Sequence, residues 1–358
     1  MPSNLFSPLE LRNITLKNRI VVSPMCQYSA SDGFANDWHF VHLGSRTVGG
    51  AGLVMCEAMS ISAEGRISAG DLGIWSDQHI APLRRISDFI HQNDSIAGVQ
   101  LAHAGYKAST QEPWNGGSYI SPENGGWQTL SPSEVLLSDQ KSVSKEMKLE
   151  DIQKVISDFK SATKRALEAG FKIIEIHAAH GYLLHEFLSP LVNKRTDEYG
   201  GSFENRSRLL QIIVKEVRAI IPEKYPLFVR ISASDWVENG WKIEDSIRLS
   251  AILNDMGVDV IDCSSGGLVL PEVIPVGLNY QVSFAEDIRQ KTGIKTGAVG
   301  MIISPEQAEE IIVSGKADLV FLAREMLRDP YFPLHAAYEL GYETAWPKQY
   351  LRAKRKKK

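Results

Sequence analysis

The sequence predicts an α/β protein, a single-domain (β/α)8 TIM barrel, on three observations. Apolar runs of strand length recur eight times, helical segments lie between them, and polar groups collect at their carboxyl ends. The runs are Arg19–Ser23, Gly52–Glu57, Ile96–Gln100, Ile173–His177, Leu227–Arg230, Val260–Cys263, Lys295–Ala298 and Leu319–Leu322. A doubly wound sheet usually has fewer strands, and no Gly-x-Gly-x-x-Gly follows the first run. At 358 residues, 43% of them hydrophobic, the chain can bury one core of barrel size without needing a second.

Taken in order, an N-terminal extension precedes Arg19, and strand and helix then alternate. Thr110–Lys145, after the third run, breaks this rhythm: it is rich in Gly, Pro, Ser and Trp and has little periodicity. It reads as a long loop over the barrel mouth, either a substrate-shaping lid or an ordinary surface insertion. The clearest helix precedes the fourth run. Ile152, Val155, Ile156, Phe159, Ala166 and Leu167 fall on one face and stop before Gly170. The barrel domain is expected to occupy residues 1–345, with 346–358 as a C-terminal tail.

A net charge of −4 gives no broad basic face, which disfavours nucleic acid as a partner. The Lys354–Lys358 run is the exception, and it reads as a solvated end before a localisation signal or an anionic-surface contact. Cys26, Cys56 and Cys263 are odd in number and far apart, which fits a reducing compartment and not a cysteine-held cluster. With no basic, apolar N-terminal leader and no membrane-length apolar run, a soluble cytoplasmic protein is expected.

The chemistry centres on Ile173-Ile-Glu-Ile-His-Ala-Ala-His-Gly-Tyr182, where a buried strand delivers two imidazoles and a phenol into one turn. The carboxyl ends of barrel strands are where such folds place reactive groups. The other strand ends carry Ser23-Pro-Met-Cys26, Glu57-Ala58, Gln100, Arg230, Ser264-Ser-Gly-Gly267, Gly297-Ala-Val-Gly300 and Ala323-Arg324. The last two loops follow strands seven and eight, where backbone N–H groups of such barrels cradle a phosphate. His-x-x-His could instead chelate a metal, but a catalytic zinc usually wants three protein ligands, and no His-Glu-x-x-His helix is present.

These motifs carry a resemblance. Leu5-Phe-Ser-Pro, Lys17-Asn-Arg-Ile, Ser23-Pro-Met-Cys-Gln-Tyr28, Gln100-Leu-Ala-His-Ala-Gly105, His177-Ala-Ala-His-Gly-Tyr182, Arg195-Thr-Asp-Glu-Tyr-Gly-Gly201, Glu204-Asn-Arg206 and Gly297-Ala-Val-Gly300 stand in the order seen in the Old Yellow Enzyme family of FMN-dependent ene-reductases. The chain most resembles the family's bacterial, thermophilic-type subgroup, over nearly its whole length. The resemblance implies noncovalent FMN reduced by NADPH or NADH and reoxidised by an activated alkene: an enone, enal, maleimide or nitroalkene.

Position by position, it implies FMN contacts at Ser23, Pro24, Met25, Cys26, Ala58, Gln100, Arg230, Gly300, Ala323 and Arg324. It makes His177 and His180 donors to the substrate carbonyl, Tyr182 the acid that protonates the α-carbon, and Tyr28 a further substrate contact. The tail Gln349-Tyr-Leu-Arg352 matches one that reaches a neighbouring subunit's active site. It therefore implies a homodimer or homotetramer with Arg352 supplied in trans and Trp346 or Tyr350 lining the pocket. The chain departs from the family pattern at Tyr106, usually Arg. It departs again at Val299, where some relatives place Trp and where a roomier pocket is expected. A dienoyl-thioester reductase and a flavin-storing or sensing protein without turnover are the competing readings.

Overall fold

The computed structural model describes residues 4–137, 139, 141–268 and 273–355. Met1 to Ser3 and the last three residues of the basic tail lie outside the described residues, as do Ser138 and Gln140 of the long loop. Eight parallel strands form a closed barrel: Ile20–Val22, Leu53–Ser60, Ile96–Ala102, Ile173–Ala178, Leu227–Ser232, Val260–Ser264, Lys295–Ala298 and Leu319–Leu322. Each pairs with the next in sequence, and the eighth closes on the first with Val320 opposite Ile20.

All eight expected strands are present, and five run past their expected ends. Strands two to six continue by one to three residues, so Glu57, Gln100 and Arg230 lie within strands, below the mouth and not at it. Sequence pattern could not locate those ends, because Met59, Leu101 and Ile231 are as apolar as the strands they extend.

Strand alternation sorts the residues into two environments. On the fourth strand Ile174 and Ile176 pack outward against the helices, whereas Ile173 joins an interior cluster with Val21, Leu53, Met55, Phe228, Val260, Leu319 and Phe321. Leu9, Leu11, Ile14 and Leu16 of a short N-terminal hairpin, Leu9–Leu11 paired with Ile14–Leu16, complete that cluster and plug the barrel. Val299 packs there too and does not line the mouth cavity.

The helix before the fourth strand spans Leu149–Glu168 and buries Ile152, Val155, Ile156, Phe159 and Ala166 as its periodicity predicts, while Leu167 is only half-buried. Gly170, at φ +90°, turns the chain toward the strand. The long loop carries its own small sheet, Leu130–Ser131, Val135–Leu136 and Val143–Glu146. Arg195 holds this sheet to the barrel: its guanidinium donates to the carbonyls of Pro132 (2.9 Å) and Met147 (2.6 Å) and pairs with Asp197. That clamp explains the Arg195–Gly201 motif as structural. Among the described residues no helix is long and apolar enough to cross a membrane.

Candidate active site

Going up the barrel axis, the inward side chains change character. Above the apolar plug, neighbouring strands present Gln100, Glu175, Arg230 and Asp262, all buried. Gln100 donates its amide N–H to Glu175 Oε1 at 2.8 Å, and Arg230 Nε lies 3.1 Å from Asp262 Oδ2. Arg230 Nη1 also donates to the Ser23 hydroxyl at 3.2 Å, tying the fifth strand to the end of the first. One guanidinium thus faces two buried carboxylates. Burial raises both the Glu175 and the Asp262 carboxyl, against the pull of Arg230.

One position further up stand His177, Ser232 and Ser264. The His177 Nδ1 accepts the Ala179 N–H at 3.3 Å, which leaves the proton of the neutral ring on Nε2. His180 sits in the left-handed region at φ +61°, its N–H bonded to the Ser232 hydroxyl at 2.9 Å. Its Nε2 lies 2.6 Å from the Ser264 hydroxyl. The two imidazoles stand perpendicular at 5.1 Å, and Tyr182 stands edge-on to His177 at 5.0 Å. Burial first, then the Arg230 charge, holds both imidazoles well below the usual histidine range, so both are neutral.

The turn carrying His180 and Tyr182 is braced from behind. Gly181 donates its N–H to His185 Nδ1 at 2.9 Å, and His185 Nε2 lies 2.8 Å from Asp235, with both side chains fully buried. Gly181, at φ +72°, also passes so close to the sixth-strand loop that a Cβ would come within 2.2 Å of the Gly267 carbonyl oxygen. Lys107 spans the same two loops, donating to the carbonyls of His180 and Gly267.

Opposite, the segment after the first strand carries Pro24, Met25, Cys26 and Tyr28, all half-buried. Glu57 fixes it by accepting the Gln27 N–H at 2.7 Å. Burial raises the Cys26 thiol well above its ordinary value and raises the Tyr28 and Tyr182 phenols, so all three keep their protons. Ala58 lies at a register shift of the second strand, beside Gln100. Gly300 turns at φ +127° after strand seven, and Ala323 and Arg324 open the short helix after strand eight.

The structure therefore gathers His177, His180, Tyr182 and Tyr28 around one mouth above Gln100 and Arg230. It does not bring Trp346, Tyr350 or Arg352 to that mouth in their own chain. Trp346 lines a small separate cavity beside Tyr338 and Tyr342, Tyr350 meets Tyr331, and Arg352 is exposed. Sequence reading missed Ser264 as a partner of His180, and it missed the His185–Asp235 brace. Strand alternation marks Asp262 and Ser264 as one inward face, but nothing local joins His185 to Asp235, fifty residues away.

The barrel mouth sets two neutral imidazoles and a phenol above a buried cation, and the family comparisons place the chain among the oxidoreductases. The NADH:flavin oxidoreductase / NADH oxidase family matches residues 4–343. The chain is 48% identical to an NADPH dehydrogenase of Bacillus cytotoxicus over 99% of its own length and 97% of the relative's. It is 47% identical to an NADPH dehydrogenase of Bacillus subtilis, over 98% and 99%. Among solved structures it is similar to the old yellow enzyme homologue from Zymomonas mobilis, with TM-score 0.78 and 26% identity over 97% of this chain and 96% of that one. The chain belongs to the NADH:flavin oxidoreductase / NADH oxidase family and is an Old Yellow Enzyme-like flavin oxidoreductase.

Proposed function

We propose that this chain is an FMN-dependent ene-reductase that uses NADPH or NADH to saturate activated alkenes. The observation that carries this reading is the neutral His177–His180 pair, 5.1 Å apart, with Tyr182 edge-on to His177 and lining one cavity together with Tyr28.

The residues present fit FMN. Arg230, ion-paired with Asp262 through Nε, is a buried cation, and Gln100 lies beside it in the same layer. Gly300, at φ +127°, takes a conformation that side chains rarely adopt and packs against Gln281, in the loop after strand seven where such barrels bind phosphate. Ser23, Pro24, Met25, Cys26, Ala58, Gln100, Arg230, Gly300, Ala323 and Arg324 would hold the cofactor. Bound FMN would take hydride from the nicotinamide and pass it to the alkene β-carbon.

The protein's own part is electrostatic. His177 Nε2–H and an N–H of His180 would donate to the carbonyl or nitro oxygen of the alkene, where negative charge develops. Neutral imidazoles suit this role, because they polarise the oxygen without giving up a proton. Tyr182, which keeps its phenolic proton, would deliver it to the α-carbon. The tail residues Trp346, Tyr350 and Arg352 would complete a partner subunit's site in a homodimer or homotetramer.

The test is anaerobic turnover of NADPH with cyclohexenone, scored by formation of cyclohexanone. His177→Ala combined with His180→Ala should cut turnover by at least about a hundredfold, the scale for losing an oxyanion donor, with FMN retained. Unchanged turnover in that variant would remove the donor assignment.

A further inference from the structure

The mouth opens sideways into a cavity of about 870 Å3 that runs from Tyr28 and Tyr182 out under the long loop. That is the size of a site for a drug-sized ligand, typically about 300–1,000 Å3, and far more than a small cyclic enone fills. Its outer wall is aliphatic: Pro113, Val135, Leu136, Leu137, Leu191 and Val192. Val135 and Leu136 lie on a strand paired with Val143–Glu146, and the Arg195 clamp ties that sheet to the barrel. Leu136 is 54% exposed and Val143, its cross-strand partner, 44%. An aliphatic side chain left this open at a cavity rim gains by contact with an apolar ligand.

The aliphatic wall offers an anionic tail no hydrogen-bond donor, and the rim lysines bond to backbone carbonyls. Lys107 is bonded to two backbone carbonyls, Lys194 donates to the Pro190 carbonyl, and Glu134 adds an opposing charge.

We propose that this compartment binds an uncharged, elongated hydrocarbon substituent carried on the activated alkene, so the preferred substrates are long-chain enals and enones. This rests on the ene-reductase reading above. The reacting carbonyl would lie at His177 and His180 while the chain extends past Tyr182 along Val135, Leu136 and Leu191.

The test is the oxidative half-reaction alone, which keeps the nicotinamide out of the cavity. Holoenzyme reduced by dithionite is mixed anaerobically with straight-chain trans-enals from butenal to decenal, and the second-order rate constant for flavin reoxidation is recorded. Burial of each added methylene should raise it about twofold to fourfold until the wall is covered. An octenal chain ending in a carboxylate should lose that gain, and Leu136→Asp, a change at an exposed position, should flatten the series. A flat series in the wild-type enzyme, with butenal still reduced, overturns the compartment and leaves the ene-reductase reading standing. So does a carboxylate-ended chain that reacts as well as the alkyl one, or a slope that survives Leu136→Asp. If no enal reoxidises the flavin, both readings fall.

Discussion

The Ser264 hydroxyl lies 2.6 Å from Nε2 of His180, although eighty-four residues separate them. The pairing decides which nitrogen of His180 serves a ligand. With Nε2 engaged by the serine, Nδ1 is the nitrogen left for a ligand, and it carries the ring proton when the serine O–H is the donor. His177 uses the opposite tautomer, its Nδ1 held by the Ala179 N–H and its Nε2–H available.

Ser264→Ala should therefore slow cyclohexenone-driven flavin reoxidation about fivefold to tenfold, the worth of one hydrogen bond to an oriented donor. Ser264→Thr, which keeps the hydroxyl, should recover most of that loss. Stopped-flow reoxidation of the prereduced enzyme measures both, with the flavin spectrum as a check that cofactor remains.

Tyr182 is expected to act as an acid through its neutral phenol. Burial, then the neighbouring Cys26 and Tyr28, raises its ionisation well above the ordinary value of 10. The rate of alkene reduction should accordingly show no alkaline limb below about pH 10. Tyr182→Phe should lower it by roughly a hundredfold or more without weakening FMN binding. A limb near pH 8 would reassign the proton donor.

Glu57 links the site to stability. Burial pushes its carboxyl up to about 8, from an ordinary 4.5. Between those values the folded protein holds a proton that the unfolded chain has lost, so stability falls as pH rises through that window. Buried neutral histidines act in the other direction: His39 and His103 titrate near 4 and His42 near 3, from an ordinary 6.5, so their contribution is lost as pH falls below 6.5. From pH 6.5 to 8 the carboxyl effect stands alone among these groups. Glu175, also raised to about 8, acts in the same direction, so the Tm should decline across that interval and Glu57→Gln should lessen the decline while its side-chain oxygen still accepts the Gln27 N–H.

Arg352 is exposed in its own chain and remote from its own cavity. If it completes a partner's site, Arg352→Ala should raise KM for the alkene about tenfold, the scale of one charge-assisted hydrogen bond, with oligomer size by light scattering unchanged. Equal KM values would make the tail a surface feature.

The barrel was legible because its strands are short, mostly apolar runs, several of which break the pattern with inward polar residues, as Glu175 and His177 do beside Ile173, Ile174 and Ile176. The reactive turn was legible for the same reason. The strands of the long loop were not: they run for two to four residues, too short for any period to show. Ser264 was hidden in a Ser-Ser-Gly-Gly stretch that reads as a turn, and its role depends on a histidine brought over from another strand. The clamp at Arg195 stood out as a motif, but its partners are backbone carbonyls, which carry no signature in the side-chain sequence.

The visible spectrum of the purified protein, followed anaerobically through NADPH and then cyclohexenone, addresses bound flavin and both half-reactions in one cuvette. Yellow bands that bleach with NADPH and return with the enone are the expected result. A colourless protein that takes up no added FMN, or bands that bleach and never return with any activated alkene, would contradict the ene-reductase function built on His177, His180 and Tyr182.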